Sequence, residues 1–183
     1  MKTGREFAEC ALLSKWDKYK YDQLDCQAFV EEVLKDIGVV KSNGNPYNWK
    51  GCNSMYRNLY AWRGTVEECI EAFGEIPVGA FVYIWTEQGA ETVGYFDGLG
   101  NCKHVGIYCG NNVVRDSTRS TKTQRNGVGT RTLDGFNRVT LFAGLDYSET
   151  NKYNASVEIK NILISMEENI NKLRGLINDL HGD

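Results

Sequence analysis

The chain is poor in the residues that build metal and redox centres. Of its 183 residues only two are histidine, His104 and His181, so a site with several histidine ligands is excluded. Six cysteines are present, at 10, 26, 52, 69, 102 and 109, yet no two form a C-x-x-C pair. Zinc ribbons and thioredoxin-type motifs are thereby removed. No cofactor is called for. An excess of basic residues is missing too: 21 Lys and Arg against 24 Asp and Glu leave a net charge of −3. Nucleic acid is therefore disfavoured as the main partner. No apolar run reaches the 18 residues that mark a membrane span, so no membrane insertion is expected. The opening MKTGREFAECALLSKW lacks the apolar centre and small-residue cleavage site of a signal peptide. The protein is thus expected to be made in the cytoplasm without a signal peptide and to act elsewhere only after release.

What is present is a chain able to fold. Hydrophobic residues make up 42% and aromatics 11%, which excludes disorder and provides for one globular domain with an appendage. Residues 5–17 have helical spacing. Asp25 stands where a second helix should start, Ala28, Phe29, Val33 and Ile37 form its apolar face, and Gly38 is its stop. Residues 54–73 read as helix again, broken near Gly64. From Pro77 the pattern becomes that of strands: 80–86, 104–109, VVRDS after the GNN turn at 110–112, 128–133 and 138–145. Helices first and strands second predict an α+β fold with a small antiparallel sheet. Residues 94–101 are turn material.

The tail has its own pattern. Residues 147–155 are polar and unpatterned, a linker between a domain at 1–146 and a helix at 156–181. Ile159, Leu163, Met166, Ile170, Leu173, Ile177 and Leu180 recur at alternating steps of four and three, a heptad seam. Two readings compete, a coiled coil that makes a homo-oligomer and an amphipathic helix packed on its own domain. The strict a/d seam favours the first.

Three residues form a candidate catalytic set. Cys26 follows the capping Asp25 at a helix start, where free N–H groups and the helix dipole favour a thiolate. Five of the cysteines read as small buried hydrophobes; Cys26 is the exception. A cysteine nucleophile needs a base, and His104 is the one imidazole in the globular part. The base in turn needs an orienting group. Asp116 lies twelve residues on, with the GNN turn midway, and so is placed opposite His104 on the neighbouring strand. Trp49, Trp62 and Trp85 read either as cleft lining or as core. Arg115, Arg119 and Arg125 read either as receptors for a carboxylate or as a solvated loop.

YDQLDCQAFVEEVLKDIG, IPVGAFVYIW and HVGIYCGNNVVRDS occur in that order, and together they resemble the motifs of NlpC-type papain-like cysteine peptidases over residues 5–146. The resemblance implies a papain-like domain with Cys26 as nucleophile, His104 as general base and acid, and Asp116 as orienting residue. Aspartate at that third position departs from the family's usual histidine or amide, and Gln27-Ala28 replaces its usual serine and glycine. A cleft tyrosine upstream of the cysteine is matched by Tyr19 or Tyr21, and Trp49 is a further substrate-binding candidate. The implied substrate is bacterial peptidoglycan, cut between D-γ-glutamate and a diamino acid of the stem peptide. FAGLDY and the missing signal segment look like phage or prophage endolysins. Two alternatives remain: an N-acetylmuramoyl-L-alanine amidase with the same catalytic residues, and an inactive wall-binding or phage structural module.

Overall fold

The computed structural model describes residues 1–87, 97, 99–120 and 125–150, and in the tail 162–163, 166–167, 169–170 and 172–174. Helix α1 (Gly4–Ala11) starts at a capping box, in which the Thr3 hydroxyl accepts from the Glu6 N–H and the Glu6 carboxylate accepts from the Thr3 N–H. A single 3-10 turn, Ser14–Trp16, follows, and the Trp16 indole donates to the Cys10 carbonyl at 2.8 Å. Helix α2 (Cys26–Asp36) is capped by Asp25, whose carboxylate accepts from the Ala28 N–H at 2.8 Å. Phe29, Val30, Val33 and Leu34 on α2 are fully buried.

The expected helix at 54–73 is three elements instead. Helix α3 (Cys52–Arg57) precedes strand β1 (Tyr60–Thr65), and α4 (Val66–Phe73) follows directly. Thr65 ends the strand and caps α4 in a second capping box with Glu68, while Gly74 terminates α4 in the left-handed region at φ 77°. The helical spacing across this stretch hides the strand because β1 is only half-buried and takes its hydrogen bonds from β6, far along the chain. The remaining strands are β2 (Phe81–Thr86), β3 (Asn101–Tyr108), β4 (Val113–Ser120), β5 (Arg125–Thr132) and β6 (Arg138–Phe142). All pair antiparallel in one sheet of order β1-β6-β2-β3-β4-β5.

The sheet separates two apolar clusters. On one side Phe81, Tyr83, Val105 and Ile107 meet Phe7 of α1 and Phe29, Val30 and Val33 of α2. Val82, Val114, Val139 and Leu141 meet Val66 and Cys69 of α4 on the other. The alternation along β2 is the period-two pattern of a strand buried on both faces.

The expected architecture is therefore corrected. The fold is α+β, but its sheet has six strands, and a papain-like domain followed by a C-terminal coiled-coil helix is not what the structure shows. The chain divides into two compact units, Met1–Tyr147 and Ser148–Asp183. In the second, the described residues 148–150, 162–163, 166–167, 169–170 and 172–174 are helical, and no long coiled-coil helix is found among the described residues. The rest of the expected helix at 156–181, most of the linker, and most of the turn at 94–101 lie outside the described residues. The physical reason is that a heptad seam is stable only when another helix covers it. Leu163, Met166, Ile170 and Leu173 are about half exposed, and an amphipathic helix draws most of its stability from burying its apolar face. Among the described residues no helix is long and apolar enough to cross a membrane.

Candidate active site

The site is built where the chain entering α2 meets strands β3 and β4. The β3–β4 ladder pairs Ile107 with Arg115 and Tyr108 with Val114. Closer to the start of β3, the Val105 N–H is directed at the Cys26 sulfur. On β4, the Ser117 hydroxyl donates to the Leu24 carbonyl at 2.5 Å. The segment Leu24–Cys26 is thus hydrogen-bonded by both strands, which brings the first residue of α2 to His104.

His104 and Asp116 are joined, Nε2 to Oδ2 at 2.6 Å. Their relation in the sheet differs from the expectation. Extending the β3–β4 register places Asp116 across from Gly106, so it reaches His104 diagonally rather than from directly opposite. Gly106 leaves the room for this: a Cβ there would lie 2.5 Å from Val114 Cγ1 and 3.3 Å from Asp116 Cβ. Asp116 is fully buried, and its second oxygen, Oδ1, accepts from the Arg125 guanidinium. Its charge is therefore matched on both sides, which is what a buried carboxylate requires. Asp116 holds Nε2 of His104, and the same imidazole hydrogen-bonds the Cys26 side chain.

Electrostatics polarise the thiol and the imidazole in opposite senses. The Cys26 thiol is lowered to about 5, first by a hydrogen bond from Cys52 and then, against the cost of burial, by His104 and the Val105 N–H. The two sulfurs are 3.6 Å apart. Burial lowers His104, but the Asp116 hydrogen bond and the Cys26 charge outweigh it and raise it to about 9. Between those limits the pair exists as thiolate and imidazolium. Tyr21 stands beside them: burial and the neighbouring Cys26 and Asp25 charges push its phenol up to about 12, which keeps the hydroxyl protonated as a donor to Cys26.

The two candidate tyrosines therefore separate. Tyr21 borders Cys26, while Tyr19 packs its ring on Trp16 at 6.2 Å. Their loop is held by β5, since the Val128 N–H donates to the Tyr19 carbonyl and the Tyr21 N–H to Asn126 Oδ1, both at 3.3 Å. Gly127 permits this approach: its φ is 126°, and a Cβ would lie 2.1 Å from the Tyr19 carbonyl oxygen. Gly127→Ala is expected to displace the loop and to lower stability by more than about 1 kcal/mol. A urea melt checks the stability, and the reactivity of Cys26 checks the loop.

Trp49 belongs to the buried cluster that also holds Cys26. Its indole is 7% exposed, stacked on Tyr47 at 5.1 Å and edge-on to Phe142 at 5.6 Å. Trp62 packs on Phe73 and Trp85 beneath Arg138. Of the three arginines, Arg115 is buried against Asp17 and the Ala11 carbonyl, and Arg125 is engaged by Asp116. Arg119 is exposed and lies over the Tyr21 ring at 5.6 Å.

Sequence reasoning missed Cys52 and Gln27 as parts of the site, and it offered Arg125 as a receptor for a substrate carboxylate where the structure engages it with Asp116. Gln27 accepts from the Gly51 N–H at 2.6 Å and donates to the Trp49 carbonyl at 2.8 Å, and Glu31 accepts from the Trp49 N–H at 2.6 Å. These bonds fasten the loop that delivers Cys52. The departure at Gln27, next to the nucleophile candidate, was the available signal. Nothing in the spacing of Cys52 marks it.

Among the described residues no cluster of three His, Cys, Asp or Glu side chains is arranged to hold a metal ion. Chemically, the arrangement provides a buried thiolate, an imidazolium fixed by a carboxylate, and a phenol donor. Comparison with known proteins finds no family model, no curated protein and no solved structure that matches this chain.

Proposed function

We propose that this chain is a cysteine hydrolase of amide bonds in bacterial peptidoglycan, cutting the stem peptide between D-γ-glutamate and a diamino acid. The observation that carries the reaction class is the Cys26–His104–Asp116 constellation, with the thiol lowered and the imidazole raised. The substrate class rests on the resemblance of the three sequence motifs to NlpC-type peptidases. Peptidoglycan is accordingly the proposed partner.

In this reading the Cys26 thiolate attacks the amide carbonyl carbon. The negative charge that develops on the carbonyl oxygen is met by the Tyr21 hydroxyl and by the Cys26 N–H, which as a first-turn amide has no partner within its helix. His104 gives its proton to the departing amine as the C–N bond breaks, leaving a thioester on Cys26. A water then gives a proton to His104 and its oxygen to the acyl carbon, and the carboxylic acid leaves as the thiolate is restored. Asp116 keeps the ring oriented and supports its charge throughout.

A pH profile follows from the two shifts. Below about 5 Cys26 takes up a proton and the nucleophile is lost. Above about 9 His104 loses its proton and the leaving amine has no acid. Activity should therefore be bell-shaped with limbs near those values. Alkylation of Cys26 by iodoacetamide, which reads the thiolate alone, should reach its plateau on the acid side of neutrality. An alkylation rate that climbs tenfold per pH unit up to pH 8 and beyond, as for an ordinary thiol, would count against the ion pair.

The direct test is digestion of purified sacculi from several Gram-positive species, with mass spectrometry of the released fragments and a Cys26→Ala control. Fragments ending at D-γ-glutamate, absent from the control, are the expected result. Intact stems freed from the muramoyl group would move the scissile bond and make the protein an amidase. Silence on every wall from a folded protein would reject hydrolysis and favour a binding or structural module.

A further inference from the structure

We propose that Cys26 and Cys52 form a peroxide-reactive dithiol, in which Cys26 is oxidised and Cys52 captures the product as a Cys26–Cys52 disulfide. The consequence for activity rests on the reading of Cys26 as nucleophile; the thiol chemistry does not.

The two sulfurs stand 3.6 Å apart although the residues are 26 positions apart, and both are free thiols. A disulfide requires about 2.05 Å, so they must close by about 1.5 Å. Cys52 comes from a different element than Cys26. It opens α3, a helix of six residues, directly after Gly51. The bonds from Gln27 and Glu31 to Trp49 and Gly51 meanwhile keep this loop against the start of α2. The sulfur pair is thus held together by its surroundings, 3.6 Å apart.

The remaining thiols are poor competitors. Burial pushes Cys10 up to about 11 and Cys69, Cys102 and Cys109 up to about 12. A hydroperoxide reacts with thiolate, and only Cys26 is held in that form near neutral pH. In the first step the Cys26 thiolate attacks one oxygen of hydrogen peroxide. The O–O bond breaks, a proton is taken up, and the products are a sulfenic acid on Cys26 and one water; sulfur loses two electrons and the peroxide gains them. In the second step the Cys52 sulfur attacks the sulfenic sulfur, the S–O bond breaks, and the oxygen leaves as a second water with the Cys52 proton and the sulfenic proton. The disulfide ties up the nucleophile until a dithiol reductant restores both thiols.

The test uses the full chain, reduced and then freed of reductant. It is exposed to hydrogen peroxide, capped with N-ethylmaleimide, and digested without reductant for mass spectrometry. The expected product is the Cys26 peptide joined to the Cys52 peptide, two hydrogens lighter than their sum, with the other four cysteines capped. Wall hydrolysis should fall in step with the cross-link and return fully with dithiothreitol. In Cys52→Ser, Cys26 should instead pass to sulfinic and sulfonic acid, which dithiothreitol does not reverse. Wild-type protein in which Cys26 overoxidises, or stays a free thiol, while Cys52 is capped would overturn the proposal. A protein that forms the cross-link but hydrolyses no wall even when fully reduced would support the dithiol and remove the peptidase reading; an active protein with no cross-link would remove the dithiol alone.

Discussion

Replacing Cys26 with alanine is expected to lower the rate of peptidoglycan hydrolysis by on the order of 10⁴-fold or more, leaving the fold intact. The size of the effect follows from the role. The thiolate forms the covalent intermediate, and no neighbour can take its place: Cys52 is raised well above the ordinary thiol value, first by its hydrogen bond to Cys26 and then by burial. Fold retention follows from geometry, because removal of one sulfur leaves the Asp25 cap and the Phe29, Val30 and Val33 face of α2 untouched. Circular dichroism and a thermal melt should overlay on the wild type. Dye release from labelled sacculi reads the activity, and variant activity within tenfold of wild type would remove Cys26 as the nucleophile.

Asp116 is expected to matter twice over, for stability and for rate. Its carboxylate is fully buried between the His104 ring and the Arg125 guanidinium. Asp116→Ala leaves the His104 and Arg125 cations facing each other without the carboxylate between them, and breaking a buried pair from one side costs about 3–5 kcal/mol. Asp116→Asn keeps the shape and separates the two effects. An amide still hydrogen-bonds the ring, but it no longer supports the imidazolium, so activity should fall by roughly 10³–10⁴-fold. The alkaline limb of the pH profile should move down from about 9, because the hydrogen bond that most strongly raises His104 is weakened. Urea denaturation measures the first effect and the profile the second. An Asn variant with an unmoved alkaline limb would reduce Asp116 to a packing residue.

Much of the site was legible because it is local. Asp25 before Cys26 is a capping signal over four residues, and the structure places the cap bond there. His104 and Asp116 are twelve residues apart across a tight turn, so a hairpin brings them together without help from the rest of the chain. Their alignment was read as directly opposite, since a turn position alone does not show that the ladder covers only the pairs beside Tyr108. The diagonal contact depends on Gly106, whose missing side chain is visible in the sequence but whose neighbours are not.

Features that depend on neighbours along the chain could be read without a structure: the helix start at Asp25, the buried strand at β2, and the hairpin carrying His104 and Asp116. The tertiary structure alone decided that residues 60–65 form a strand against β6, and that Tyr21 rather than Tyr19 borders the thiol. It also decided that Cys52 meets Cys26 and that Arg125 closes the charge of Asp116. The heptad seam marks the limit of periodicity, because it states which side of a helix is apolar and not whether anything covers it. Spacing encodes contacts within a turn or a hairpin, whereas contacts between distant segments form only where packing of the whole domain places them.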